Sequence, residues 1–528
     1  MSLLLRAFAL VVCPCFPAIA LAQCDLVAQE LAPPDGEHGD AFGYRVERSD
    51  DVAAVAAPFD ADLGTRSGSV YVYEREGPGT EWHFARKLLA SDGAEGDVFG
   101  YSVGVAGTTI VVGATDHDHP ASNGGAAYVF ERNAGGPANW GEVAHFTPEG
   151  TGADARFGYA LAVRGERLLV GAPYQGQSLA GVAYLYRRDG ASATGWTLED
   201  EFTSSDPATA FEYGHDVALD DGVMAVSGSR TSILPFSPTY VAHVRELGSD
   251  GQWSEVARIE SPNAAFGTSD LFAYELTLDG GRLVAVAPSE YDLDSGDIGA
   301  LYLYERAASG LWALARRLPP PLLAFFAEEA DLRGDWLVAG NPGVSTLHVF
   351  HRNAGGRDAW GEVTRLVDDD VGADLGEDLV LAGDEVLVGN SYPAGEEPGE
   401  VFVIDLARLA RATWRNVAAS ANLDALRAGN RPLLGTTFRA DAEMPSGYSL
   451  ALLAVFADPA KRVLPSGAVL LGMHRLGSTL ADGEGRFEIA VPADSTLCGL
   501  SATVQAGVFG AGVPLALTNA LDLVLGAE

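Results

Sequence analysis

The sequence predicts an all-β protein, a seven-bladed β-propeller of four-stranded blades followed by a small β-sandwich. Three observations carry this. A phenylalanine-glycine stretch recurs along the chain, as DAFGYRVERSDDVAAVAA from Asp40, DVFGYSVGVAGTTIVVGA from Asp97 and RFGYALAVRGERLLVGA from Arg156. Its first aromatic or aliphatic position falls at Phe42, Phe99, Phe157, Tyr213, Phe272, Phe326 and Leu375, at near-equal spacing. Each copy reads as four short strands separated by Gly-rich turns.

Taking the second copy as the pattern, Phe99 to Val105 alternates and turns at Ala106-Gly107, and Thr109 to Val112 is a β-branched run. A loop leads to GAAYVFER at Gly125, and a Gly-rich turn precedes Trp140 to Phe146. The third strand returns as GSVYVYER at Gly68, GVAYLYRR at Gly181, GALYLYER at Gly299 and GEVFVIDL at Gly399. The fourth opens with Trp82, Trp140, Trp196, Trp253, Trp312 and Trp360, one equivalent position in six copies, which predicts packing between units. Such small sheets bury their faces only by stacking on neighbours, and a ring removes the open ends. The seventh copy lacks a Trp-type fourth strand. Residues 25–43 parallel Phe84 to Gly100, so the N-terminal segment is expected to supply the outer strand of the last blade.

The domain boundaries follow. Residues 1–22 read as a signal peptide: Arg6 before an apolar run, then Ala20-Leu21-Ala22 as a small-x-small cleavage site. A lipoprotein anchor is the alternative, but Gln23 precedes Cys24 where a lipobox wants a small residue. The propeller is assigned to 23–407, a linker with one short helix to 408–430, and the β-sandwich to 431–528. No other apolar run approaches the roughly 20 residues needed to span a bilayer. Export is the expectation, to the medium or the cell surface. Of the four cysteines, Cys24 and Cys498 outlast cleavage, and in an oxidising compartment they pair; two free buried thiols are the alternative.

The full chain carries a formal charge of −38, which becomes −39 without Arg6. Such a surface repels phosphate backbones and excludes nucleic acid as a partner. It serves solubility first and attraction of cations second.

These residues resemble the FG-GAP repeat, the unit of the integrin α-subunit N-terminal propeller. The FG is Phe42-Gly43, Phe99-Gly100 and Phe157-Gly158, and the GAP is intact at Gly171-Ala172-Pro173. The resemblance spans roughly residues 24–407 and implies a seven-bladed propeller, an extracellular setting, and adhesion or ligand binding. The C-terminal part resembles a small β-domain of exported bacterial proteins. One departure matters. The family's calcium repeats carry an acidic loop between the first two strands. Here that hairpin is a tight turn, as at Gly165-Glu166 and Asp221-Gly222, too short to wrap an ion. No cofactor is expected, with calcium left open.

Candidate contacts lie in the long second-to-third strand loops: Phe59, Asp60, Asp116, His117, Asp118, Tyr174, Phe236, Tyr291, Asp292 and Asp294. The alternative for each is a solvated rim. Asp292, Asp294 and Asp297 form a loose cation loop whose glycine is one place early for an EF-hand. Adjacent residues of the Asp116-His117-Asp118-His119 run point to opposite sides, so all four cannot face one ion. Arg333-Gly334-Asp335 occupies a hairpin turn, and His243 and His348 sit in third strands as packing residues. The sequence carries no H-E-x-x-H motif and no P-loop. The leading expectation is non-enzymatic binding of an extracellular protein or glycan by the loop-rich face. The alternatives are a propeller hydrolase or lyase of polysaccharide, which raised-pKa carboxylates at the axis would favour, and a structural surface component.

Overall fold

In the computed structural model of the chain, the described residues are 27–409, apart from 119–120, 149, 177–178, 191–194, 206–209, 231–238, 263–269, 292–297, 320–325, 355, 368–374 and 393–397, and beyond them the strands between 411 and 524. Six successive blades follow the strand order of the chain. In blade 2, for example, Phe99–Ala106, Thr109–Ala114, Ala126–Arg132 and Trp140–Phe146 pair antiparallel in sequence. Blade 4 adds a short strand, Ala210–Phe211, beside the end of its second strand. The seventh sheet holds Leu379–Ala382, Glu385–Asn390 and Glu400–Asp405, and its outer strand is Val27–Leu31 from the N-terminus. Val27 pairs with Ile404 and Leu31 with Val401. The expected closure is therefore present, and the ring leaves no open edge at the seam.

The hydrophobic core lies between blades. Val52, Ala54, Val70 and Val72 of blade 1 pack against Phe99, Ile110, Tyr128 and Trp140 of blade 2. The seam is built the same way, with Val380, Leu387, Val401 and Val403 against Phe42, Val55 and Tyr71. The repeated aromatic is the centre of each interface. Phe42, Phe99, Phe157 and Phe272 stand edge-on to the third-strand tyrosines Tyr71, Tyr128, Tyr184 and Tyr302, with ring centroids 5.3–5.4 Å apart. In blades 4 and 6 a histidine replaces that tyrosine: His243 lies 5.2 Å from Tyr213, and His348 lies 5.0 Å from Phe326. Both histidines are packing residues, as their strand positions suggested.

Glycine sets how closely blades approach. A Cβ on Gly171 would stand 2.0 Å from the Gly214 carbonyl oxygen of the next blade. The GAP glycine thus lets one inner hairpin lie directly on its neighbour. The outer tryptophans tie blades together, as their equivalent positions predicted. The Trp140 indole N–H donates to Glu74 of the preceding blade at 2.8 Å, and Trp312 donates to Glu246 at 3.2 Å. At the seam, Gln29 of the closing strand exchanges two 2.7 Å bonds with the Trp82 backbone. Glu385 of blade 7 accepts from Arg48 and Arg75 of blade 1.

Beyond the ring, strands Arg411–Arg415, Val513–Val524, Ser501–Gly510, Leu450–Phe456 and Arg475–Leu480 form one antiparallel sheet in that order. Leu426–Ala428, Thr437–Ala442 and Arg486–Ala490 form a second. β-structure therefore begins at Arg411, inside the segment read as a linker with a helix. Arg411–Arg415 pairs with the C-terminal strand, and that pairing outweighs the helix-forming alanines nearby. Among the described residues no helix is long and apolar enough to cross a membrane.

Candidate functional site

The inner strands of the seven blades surround an axial cavity of about 260 Å³. Side chains two residues apart on a strand point the same way, so each inner strand offers the axis two tiers. The upper tier reads Arg45, Ser102, Ala160, Asp216, Glu275, Glu329 and Asp378, and the lower tier includes Glu47, Gly104, Ala162, Thr277 and Asp331. Blades 2 and 3 thus contribute small residues, and the other blades contribute carboxyl groups. Two guanidinium groups, Arg45 and Arg333, face six carboxyls.

Some of these carboxylates join neighbouring inner strands. Asp216 accepts the Leu276 amide at 2.7 Å, and Asp331 accepts the Leu381 amide at 2.9 Å and the Thr277 hydroxyl at 2.8 Å. Asp378 accepts the Val46 amide across the seam and lies 3.5 Å from Arg45. Glu275 is hydrogen-bonded to Asp216. Burial pushes Asp216 and Asp378 up to about 6 and Glu47 to about 8. Glu275 and Glu329 are held well above the usual carboxylate range by burial, then by the neighbouring Asp216 and Asp378 respectively.

Above the carboxyl groups sits an arc of rings. Tyr44, Tyr101, Tyr159, His215 and Tyr274 occupy one position, the third residue of the repeated triplet, in blades 1 to 5. Tyr44 lies 5.8 Å from Tyr101, which lies 5.0 Å from Tyr159; Tyr159 is 5.3 Å from His215, and His215 is 4.8 Å from Tyr274. Blades 6 and 7 place Glu328 and Glu377 there instead. His215 is buried, and burial lowers its pKa to about 4, so the ring is neutral near pH 7. The ring meets the Tyr274 backbone, and among the described residues its Nδ1 has no hydrogen-bond partner.

The loop candidates divide. Phe59 extends the arc, 6.1 Å from Tyr44 and beneath the Arg66 guanidinium at 4.3 Å. Tyr174 extends it at the other side, 6.0 Å from Tyr159 and 5.5 Å from Arg156. Asp60 is buried and turned inward, accepting Ser69 at 2.9 Å and Tyr71 at 3.2 Å and pairing with Lys87 at 2.7 Å. His117 is buried against Asp97 at 3.2 Å, and that hydrogen bond raises its pKa. Asp116 lies 3.4 Å from Arg156, and exposed Asp118 caps its own turn through Ser122 and Asn123. Asp60 and His117 thus brace blades from within. Phe236, Asp292, Asp294, Asp297, Cys24 and Cys498 lie outside the described residues; Tyr291 ends a strand, and its side chain does too. Arg333-Gly334-Asp335 is the expected hairpin turn, with Gly334 at φ 60°. Among the described residues no group of three His, Cys, Asp or Glu is placed to hold a metal.

The axial residues escaped the sequence reading, although a signal was present. The position three past the repeated aromatic is small or neutral in two blades, arginine in one, and acidic in four.

Fold and site together define a seven-bladed propeller with an aromatic-rimmed, acidic axial cavity. Residues 27–73, 82–130 and 140–186 match the FG-GAP repeat. Each match opens on an outer strand and ends on the third strand of the following blade. No curated protein matches the chain. Among solved structures, the chain is similar to the polysaccharide lyase Uly1 (11% identity, covering 70% of this chain and 90% of that one, TM-score 0.43). It is similar also to the β-propeller domain of the Trilobed protease from Pyrococcus furiosus (11% identity, 68% and 92%, TM-score 0.40). A third is a protein from Lactobacillus plantarum (13% identity, 62% and 84%, TM-score 0.39).

Proposed function

We propose that the protein is an exported, non-enzymatic binding module that engages a glycan, or a protein carrying one, through the loop-rich end of the propeller. The arc from Phe59 through Tyr44, Tyr101 and Tyr159 to Tyr174 carries this reading. Half-buried tyrosines offer apolar ring faces together with hydroxyl handles, which suits ligands with apolar faces and polar edges. A rigid ring holds them in place, so little ordering accompanies binding. Export rests on the leader-like residues 1–22.

A polysaccharide hydrolase or lyase is the second reading, favoured by the raised-pKa carboxyls at the axis. Binding is preferred because Asp216, Asp331 and Asp378 already accept backbone amides of neighbouring blades, which holds them as braces. The test is a glycan array with the purified mature chain, followed by product analysis on any glycan bound. Binding lost in Tyr101→Ala and Tyr174→Ala, with the glycan intact, supports the module. Depolymerisation of a bound glycan overturns it in favour of the enzyme.

A further inference from the structure

We propose that the axial cavity binds a linear aliphatic diammonium ion, the polyamine class of ligand. The proposal rests on the binding reading in one respect, that access is through the same aromatic mouth. Its recognition elements lie beneath, in the cavity wall.

The wall is two-sided. On one side stand carboxyls in two tiers, Asp216, Glu275, Glu329 and Asp378 above, Glu47 and Asp331 below. Glu329 and Asp331 are two residues apart on one strand, a rise of about 6.6 Å. The residue between them, Ala330, is buried in the interface between blades. On the other side, Ser102, Gly104, Ala160 and Ala162 leave the cavity its room. A diammonium chain of four or five carbons matches this pattern. Its ends reach one tier each, and its methylenes lie along the small-residue side. A single ammonium would satisfy one tier only. A divalent metal finds no group of three ligands among the described residues.

Two further observations point to a cationic ligand. Six carboxyls share two guanidinium groups, so the wall has more acid than internal base. His215, at 8% exposure, lines the same cavity; its ring meets the Tyr274 backbone, and among the described residues its Nδ1 has no partner, so a neutral imidazole keeps an acceptor for an N–H donor. Buried acceptors without partners are costly, and a ligand donor removes that cost.

Without a ligand, burial and crowding disfavour the charged forms of Glu47, Glu275 and Glu329. An arriving dication reverses this and expels protons. The titratable and charged groups that share the wall with these three are Arg45, His215, Asp216, Asp331, Arg333 and Asp378, with the hydroxyls of Tyr44, Tyr101, Tyr159 and Tyr274 above them. Proton release therefore separates cavity binding from diffuse attraction to the acidic surface, whose exposed carboxylates are already ionised near pH 7.

The experiment is calorimetry of the purified mature chain with 1,4-diaminobutane and spermidine, in two buffers of different ionisation heat. n-Butylamine and Mg²⁺ serve as controls. One diamine per chain with net proton release is expected, and n-butylamine, meeting one tier, should bind at least about tenfold more weakly. Glu275→Gln and Glu329→Gln keep the side-chain shape and cannot ionise when the dication arrives, so they should fold; each should weaken the diamine by about 30-fold or more. Ala162→Leu, which takes up the room and removes no charge, should abolish binding. No diamine heat at millimolar concentration overturns the proposal. So does diamine binding that Mg²⁺ displaces at equal concentration, or that both Gln variants leave unchanged. Loss of glycan binding in Tyr174→Ala with diamine binding intact would concern the arc alone, so the two readings can fail separately.

Discussion

Glu385 ties blade 7 to blade 1 through buried charge. It receives Arg48 and Arg75 from blade 1, the latter at 2.9 Å, and the two arginine side chains are only 2% and 4% exposed. Replacing Glu385 with alanine leaves two buried guanidinium groups side by side across the seam. Each keeps one backbone acceptor, Ser49 for Arg48 and Asp50 for Arg75, but neither keeps a counter-charge from blade 7. Removing one partner of a buried pair costs about 3–5 kcal/mol. Unfolding roughly 380 ring residues at about 2.1 cal/mol/K each gives an entropy near 0.8 kcal/mol/K, so Tm should fall by about 4–6 °C. The comparison variant is Asp335→Ala, whose partner Arg352 lies 3.7 Å away with both side chains well exposed. That loss should stay within about 1 kcal/mol and barely move Tm. Scanning calorimetry of both variants decides the matter. Arg48→Met in the Glu385→Ala background should recover part of the loss, because one stranded charge is gone. If Glu385→Ala melts within about a degree of the parent, the argument that the seam is held by desolvated charge is wrong.

Gly171→Ala should destabilise the ring by about 1–3 kcal/mol or more, because its Cβ would stand 2.0 Å from backbone, which yields less readily than a side-chain tip. Chemical denaturation measures it, and an unchanged midpoint would contradict the close approach. Trp140→Phe should cost about 1–3 kcal/mol through the unpaired Glu74 acceptor and the smaller ring, read by the same titration. The axial carboxyls predict a pH trend whose sign is fixed. Glu47 binds its proton more tightly folded, up to about 8, than unfolded near 4.5, so its contribution is present at low pH and lost as pH rises through that window. Asp216 and Asp378 act likewise up to about 6, while His215, lowered to about 4, acts in the opposite sense below its usual 6.5. Tm should therefore decline from about pH 6 to pH 8, and Glu47→Gln should flatten that decline; an identical slope in the variant would refute the assignment.

Much of the scaffold could be read from residues that recur. Phe99 and its equivalents mark the interfaces, the tryptophans mark the outer strands, and the mismatch between the first and last copies marks the closing strand, which Val27–Leu31 supplies. Hydrophobic period and turn glycines were enough for this because each blade poses the same packing problem. Other features could not be read this way. That Asp60 and His117 turn inward depends on Tyr71 and Tyr128 one strand away, and loop composition alone gives no direction to a side chain. The strand at Arg411–Arg415 is made by a partner more than a hundred residues on, a contact that local alanine-rich propensity opposes.

The repeat and the blade are also out of phase, and this bears on where function lies. Each matched repeat begins with the outer strand of one blade and continues into the next, so joining repeats end to end makes closure across the seam automatic. Selection on closure keeps the shared positions alike: the aromatic, the glycines and the outer tryptophan. The axis is the one place where all seven copies meet and need not agree. There the third residue of the triplet is tyrosine in four blades, histidine in one and glutamate in two, and the residue after it runs from arginine through serine and alanine to acid. A ring that asks only for packing would fill that space with seven similar side chains. The chain instead breaks its own symmetry at the axis, with small residues on one side and carboxyl groups on the other, the two-sided wall that the proposed diammonium ligand would match.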